Sequence, residues 1–356
     1  MAKIDALFNQ LMSRQGSDLH LEQGQCPKLR IHGSLQVMDN EPVLTQEALE
    51  GLMSEIAGAQ GWGRFLQTGD LDFAYALGQE ARFRANYYRH FYGFGAVFRL
   101  IPSKIVPLEQ LGMPDTLKNF GELNAGLVLI TGPTGSGKST TLAAVIDYIN
   151  RTKAKKIITI EEPVEFMHAN QKSIVTHREV GLDTVSFASG LKSAIKSDAQ
   201  IILVGEMRDR ETIMLALTAA QMGILVFGTL HTNSAAKTID RIVDIFPMDR
   251  KNQVRTVLAN TLQGIVAQQL LKSADGRRRW VAYEILLRCV SLGAIISDGD
   301  ASKLVSEIQT NKAMGMVSMD DSLADLVNAG RVKSEDAFMK AIDKPSFMAR
   351  FANKIG

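Results

Sequence analysis

The chain has 356 residues, 46% hydrophobic and 22% charged, which is ordinary globular composition at a length that suits two domains. Forty basic residues against 38 acidic ones leave a formal net charge of +2, far from the basic excess of a dedicated nucleic-acid binder, so no nucleic-acid partner is expected. The opening stretch "MAKIDALFNQLMSRQGSDLHL" lacks the apolar core and cleavage site of a signal peptide. No other stretch reaches the roughly 18 to 20 uncharged apolar residues that cross a bilayer, and a cytoplasmic location is expected. Cys26 and Cys289 show no CxxC or Cys/His spacing and read as buried thiols rather than a disulfide or zinc site.

In chain order, residues 1–100 read as helix, strands, helix, strands. Leu7 and Leu11 mark a short amphipathic helix, and "KLRIHGSLQVM" gives two strands around His32-Gly33. From Asp70, "DLDFAYALGQEARFRANYY" alternates around another glycine-containing turn, which predicts an α+β domain with an antiparallel sheet. Alternation in "RFRAN" sets Arg82, Arg84 and Asn86 on one face and Phe83, Ala85 and Tyr87 on the other. Pro102, Pro107 and Pro114 suit an interdomain linker over residues 101–115. Over residues 116–356 the runs "GLVLI", "KIITI", "IILVG" and "ILVFGTL" alternate with helical patterns, the mark of βα units around a mainly parallel sheet. After about residue 250 the pattern is mostly helical, broken by a turn and strand in "DGRRRWVAYEIL".

The stretch "GPTGSGKST" fits GxxxxGK[ST] from Gly132 to Ser139, between an apolar strand and a helical pattern. Gly132, Thr134, Gly135, Ser136 and Gly137 can turn backbone N–H groups around a β-phosphate. The helix opened by Lys138, Ser139 and Thr140 aims its positive end at the same anion. Lys138 neutralises β- and γ-phosphate charge and Ser139 offers a hydroxyl to Mg²⁺, so ATP with Mg²⁺ is the expected ligand. Hydrolysis also needs an acid on a neighbouring strand to hold the metal and another to orient water. "IILVGEMRD" ends a buried strand at Gly205-Glu206, at the sheet edge where α/β folds bind ligands, which makes Glu206 the metal-holding candidate. "IITIEEPVEF" adds Glu161, Glu162 and Glu165, and His231 follows a third apolar strand, where it suits γ-phosphate sensing or water positioning.

With these residues in order, the chain resembles the secretion-type ATPases, and within them the PilT-like retraction motors of type IV pili. The resemblance runs through "GSDLHL", "ARFRANYY", "VFRLIP", "GLVLITGPTGSGKSTTLAA", "IITIEEPVEF", "HREVG", "LVGEMRDRETI", "GTLHTNSAAKTIDRIVDIFP" and "MGMVSMDDSL", almost the whole chain. It implies an N-terminal PAS-like domain, a RecA-like P-loop ATPase core, and a homohexamer that is peripheral at the inner membrane. The force would act on an inner-membrane pilus platform protein, with a paralogous retraction ATPase as a further partner. It also implies roles: Glu206 as Walker B glutamate, Glu165 within the Asp box as the residue orienting attacking water, His231 in the His box. Arg82 and Arg84 match arginines that reach the γ-phosphate from the N-terminal domain, with Arg99 a weaker candidate.

The chain departs from the family pattern at residues 291–300, "SLGAIISDGD" for "AIRNLIRE", and at residues 220–224, "AQMGI", where a glutamate and a histidine are replaced. It departs again at Glu162, where the Asp box has its aspartate, and at "DAQ" for "DPD" over residues 198–200. Other readings stay open. The chain would be an accessory retraction ATPase working beside a principal one, or would move another pilus-like filament. An assembly ATPase would be expected to carry an extra N-terminal domain and a four-cysteine insertion. A nucleotide-dependent switch would bind without sustained turnover. A nucleic-acid translocase would need more than the basic run "GRRRW", which falls in a predicted turn.

Overall fold

Strict alternation of side chains along "RFRANYY" leaves a sheet with one dry face and one polar face. In the computed structural model, which describes residues 2–31, 33–78, 81–101, 105–300 and 302–352, the chain divides into two units, Met1–Lys104 and Ile105–Gly356. His32 of the first expected turn, Gln79 and Glu80 of the second, and Pro102 of the linker lie outside the described residues.

The first unit holds β1 (Asp18–Glu22), β2 (Lys28–Ile31), β3 (Ser34–Val37), β4 (Asp70–Leu77), β5 (Ala81–His90) and β6 (Gly93–Ile101). They form one antiparallel sheet in the order β3-β2-β1-β6-β5-β4. Helices α1 (Asp5–Ser13) and α2 (Gln46–Thr68) bring Phe8, Met53 and Phe65 into one core with Phe83, Tyr87 and Phe98. Phe8 stacks on Phe83 with 4.0 Å between ring centroids, and the buried Tyr87 hydroxyl donates to the Met53 carbonyl at 3.0 Å. Full burial of such a ring contributes about 1.5–3 kcal/mol, enough for Phe8 to anchor α1. Arg84 stays exposed and Arg82 half-buried on the opposite face, as alternation predicts.

The second unit carries β7 (Gly126–Thr131), β8 (Lys156–Glu161), β9 (Ile174–Glu179), β10 (Ile201–Val204), β11 (Leu225–Leu230), β12 (Leu262–Lys272) and β13 (Arg279–Leu287). Their order is β13-β12-β7-β11-β10-β8-β9, parallel throughout except for the β12–β13 hairpin. Helices α3 (Thr116–Glu122), α4 (Lys138–Thr152), α5 (Phe187–Lys196), α6 (Arg210–Gln221), α7 (Ala235–Asp244) and α8 (Met248–Thr261) alternate with the strands. Two apolar clusters enclose the sheet, one with Leu142 and Ile146 of α4, the other with Ile213 of α6 and Ile242 of α7. Every residue of β7, β10 and β11 is accordingly buried, which is why these strands are unbroken apolar runs. Among the described residues, five short helices finish the unit: α9 (Leu292–Asp298), α10 (Lys303–Thr310), α11 (Met319–Asn328), α12 (Ser334–Lys340) and α13 (Lys344–Arg350).

Two strands were not expected. The stretch read as mostly helical after residue 250 stops being helix at Thr261, and β12 takes its place beside β7. Gly264 makes this pairing fit: a Cβ there would lie 2.5 Å from the Phe120 ring and 3.0 Å from the Leu286 carbonyl oxygen. The polar stretch "IVTHRE" forms β9, the edge strand beside β8. The expected hairpin at "GRRRW" is present, and Trp280 is flanked by the guanidinium groups of Arg278 and Arg331 at 4.6 and 4.4 Å from its ring. Cys26 and Cys289 are free as expected, but both are half-buried rather than buried, because they sit in connections and not on inward strand faces. Leu108, from the proline-bearing stretch, is buried against the second unit's core. No helix among the described residues is long and apolar enough to cross a membrane.

Candidate active site

Parallel pairing sends the C-terminal ends of β7, β8, β10 and β11 to one edge of the second sheet. Thr131 pairs with Leu230, and Val204 lies level with Gly228 and Ile160. The phosphate loop, the Glu161–Glu165 segment, Glu206 and His231 all sit at or just past these ends, so the topology alone collects them.

The loop between β7 and α4 is shaped by glycines. Gly135 and Gly137 have φ of +79° and +91°, a conformation that other residues adopt at a cost. Gly132 is fixed by close approach as well: a Cβ there would stand 2.3 Å from the Gln268 carbonyl oxygen and 2.5 Å from Ser136 Oγ. Gly137 caps α4 with no side-chain acceptor, which leaves the first N–H groups of Lys138, Ser139 and Thr140 facing the loop. Pro133, Thr134 and Gly135 are exposed on its rim. Lys138 is 9% exposed and curls inward, its Nζ donating to the carbonyls of Gly132 at 2.8 Å and Pro133 at 3.2 Å. Burial pushes its ammonium below the usual lysine range, against the pull of Glu206 and Glu165. An added phosphate would supply the charge that this desolvated cation lacks.

Glu206 is 19% exposed at the end of β10, with Oε1 2.9 Å from His231 Nε2 and a further ion pair to Arg208 Nε. Burial works to raise its carboxyl, but the Arg208 hydrogen bond and the charges of His231 and Arg208 prevail and hold it below the usual range. The group is a carboxylate at neutral pH. It is an oxygen donor suited to a hard cation, as is the Ser139 hydroxyl in the first turn of α4; the two residues therefore fit Mg²⁺. Glu165 is half-buried on the loop after β8, and its backbone N–H donates to Glu161 Oε2 at 3.3 Å.

A family model described as "Type II/IV secretion system protein" matches residues 1–317. The chain belongs to the type II/IV secretion ATPase family. It is 46% identical over 330 residues to the type IV pilus retraction ATPase PilT of Pseudomonas aeruginosa, covering 92% of this chain and 95% of that one. It is 44% identical to a twitching motility protein of Neisseria gonorrhoeae over 320 residues, 90% of this chain and 85% of the relative. A crystal structure of the pilus retraction motor PilT with bound ADP superposes with a TM-score of 0.90 at 40% identity, covering 97% and 98% of the two chains. This secretion ATPase therefore has the PilT-like organisation of an N-terminal domain followed by a RecA-like ATPase core.

In this ATPase the expected residues divide between the two units. Lys138, Ser139, Glu165, Glu206 and His231 belong to the second, and the charges of Glu165 and Glu206 both reach Lys138. Arg82 and Arg84 belong to the first, where Arg84 pairs across strands with Arg99. Arg99 Nε donates to the buried Asp18 carboxylate at 2.9 Å, which gives Arg99 a tie within its own sheet.

Several supporting residues escaped the sequence reading. Glu179, 3% exposed on β9, accepts the Val164 N–H at 3.1 Å, and His177 Nε2 accepts the His168 N–H at 3.0 Å, so the Glu165 loop is pinned on both sides. The motif "HREVG" contains both residues, but nothing in its pattern marks an inward carboxylate. Glu284 on β13 accepts the Ala235 N–H at 2.6 Å and a backbone N–H of Met319, capping α7 just after the His231 loop. Arg208 is the one with a sequence signal, two residues beyond Glu206 in "GEMRD".

Proposed function

We propose that this ATPase is the motor that retracts type IV pili, withdrawing pilin subunits and so driving twitching motility. The observation that carries the reading is the gathering of Lys138, Glu206, His231 and the Glu165 loop at one sheet edge, in a chain 46% identical to a retraction ATPase over nearly its whole length. In turnover, Lys138 leaves the Gly132 and Pro133 carbonyls for the phosphates, while the loop N–H groups hold the β-phosphate. Ser139 and Glu206 hold Mg²⁺, which when bound supplies positive charge on the phosphate oxygens. Glu165 orients the attacking water. His231, bonded to Glu206, registers the γ-phosphate. Arg82 and Arg84 act as arginine fingers, because a fixed planar cation matches the charge that develops during phosphoryl transfer.

The working assembly is a homohexamer in the cytoplasm, peripheral at the inner membrane, whose successive domain closures act on an inner-membrane pilus platform protein. Surface pilin in cells whose sole copy of this gene encodes Lys138→Ala tests the direction of action. More surface pili than wild type are expected; fewer would reverse the assignment to assembly. In the purified protein, Glu206→Gln is expected to slow phosphate release by about 10²–10³-fold while ADP still binds. Undiminished release would remove Glu206 from the chemistry.

A further inference from the structure

Two buried polar atoms beneath the phosphate loop have no hydrogen-bond partner among the described residues: Ser136 Oγ and Gln268 Oε1. Both residues are 2% exposed. One lies in the loop and the other on β12, where Ala267 pairs with Thr131 and the next residue, Gln268, runs beside Gly132. The spacing around that glycine is tight. A Cβ on Gly132 would meet Ser136 Oγ at 2.5 Å and the Gln268 carbonyl oxygen at 2.3 Å, and a Cβ on Gly137 would meet Gln268 Nε2 at 3.7 Å. The Gln268 side chain thus extends under the loop towards its α4 end.

Glutamine is the costly residue for this position. Its neighbours on the same face of β12, Val266 and Leu270, are apolar, and leucine or methionine would fill similar space with no amide oxygen to satisfy. Native interiors rarely leave such an atom unpaired. The orphaned pair is also complementary: a hydroxyl donor in the phosphate loop, an amide acceptor on a strand inside the sheet. Lys138 occupies the Gly132 and Pro133 carbonyls at this same turn, so drawing its ammonium onto phosphate frees the loop to settle differently.

We propose that Gln268 is a positioning residue of the nucleotide site, its amide oxygen accepting from Ser136 Oγ when the loop closes on phosphate. The inference rests on the nucleotide-binding reading of the loop and adds a contact that exists only in the loaded state. Gln268 touches no reacting atom; it acts through the loop's shape.

The test uses the full chain with Gln268→Leu, Ser136→Ala and the double variant, measuring ADP affinity by titration calorimetry and the melting temperature without nucleotide. Gln268→Leu is expected to weaken ADP by about five-fold or more, with the nucleotide-free melting temperature unchanged or raised, since an unsatisfied polar group has been removed. The double variant should bind no more weakly than the weaker single, as two partners of one bond require. ADP affinity within about two-fold of wild type in Gln268→Leu, or effects of the singles that multiply in the double, would overturn the proposal. Ser136→Ala, a small change, carries the same comparison should Gln268→Leu not fold. Failure of the wild-type chain itself to bind ADP would instead overturn the nucleotide site, a distinct result.

Discussion

Lys138 and Glu206 are both partly desolvated, yet burial governs only the lysine. Two backbone carbonyls replace the water that Lys138 loses without neutralising it, whereas Glu206 has Arg208 and His231 against it and keeps its charge. A different histidine bears on stability at low pH. His168 is buried with its Nδ1 unpaired among the described residues, stacked on His177 at 5.7 Å between ring centroids, and burial followed by the His177 charge pushes it down to about 3. Between its ordinary 6.5 and that value the unfolded chain binds a proton that the folded one refuses, so stability falls as pH drops through this window. His168→Phe should therefore flatten the loss on acidification by an amount on the order of a few kcal/mol at pH 4, read from urea midpoints at pH 7 and pH 4. Equal acid sensitivity in the two proteins would dismiss His168 as the sensor.

At the scale of elements, legibility in the sequence tracks burial. β7, β10 and β11 are dry on both faces, so their residues spell continuous apolar runs, and the candidate site residues could be found at the C-terminal ends of such runs. β12 breaks that rule. It carries Gln268 and Gln269 at 2% and 4% exposure, and "LQGIVAQQLL" suits a helix equally well until β7 is there to pair with it. Buried Glu179 and Glu284 were invisible for the related reason that an inward carboxylate and a solvated one are the same letter. Within the departure at residues 291–300 the chain forms α9, with Leu292, Ile295 and Ile296 in the main core. The contact between β12 and the phosphate loop gives a direct test. Gly132→Ala would drive a methyl into the backbone oxygen of Gln268, and an overpacking loss of about 1–3 kcal/mol in the urea midpoint is expected together with loss of ADP binding. An alanine variant of wild-type stability would mean that this approach is looser than 2.3 Å.

For the whole molecule, the proposed site residues are divided between two units with separate cores. Arg82→Ala with Arg84→Ala tests that division, because both side chains leave the polar face of β5 and neither enters the first unit's core. Arg84 is exposed, and Arg84→Ala alone is expected to leave stability within about 0.5 kcal/mol of wild type. ATP turnover of the double variant should fall by about 10³-fold, the scale of a lost arginine finger. Unchanged turnover would leave the two arginines as a solvated strand face. The sheet order has a consequence for synthesis. β7 carries the phosphate loop but is completed on one side only by β12, with Ile130 opposite Val266, so a ribosome must make most of the chain before the loop has its floor. Until then β7, an interior strand of the sheet, waits with that hydrogen-bonding edge bare. A nascent chain halted before residue 262 would thus meet cellular ATP with the floor of its phosphate loop still unmade.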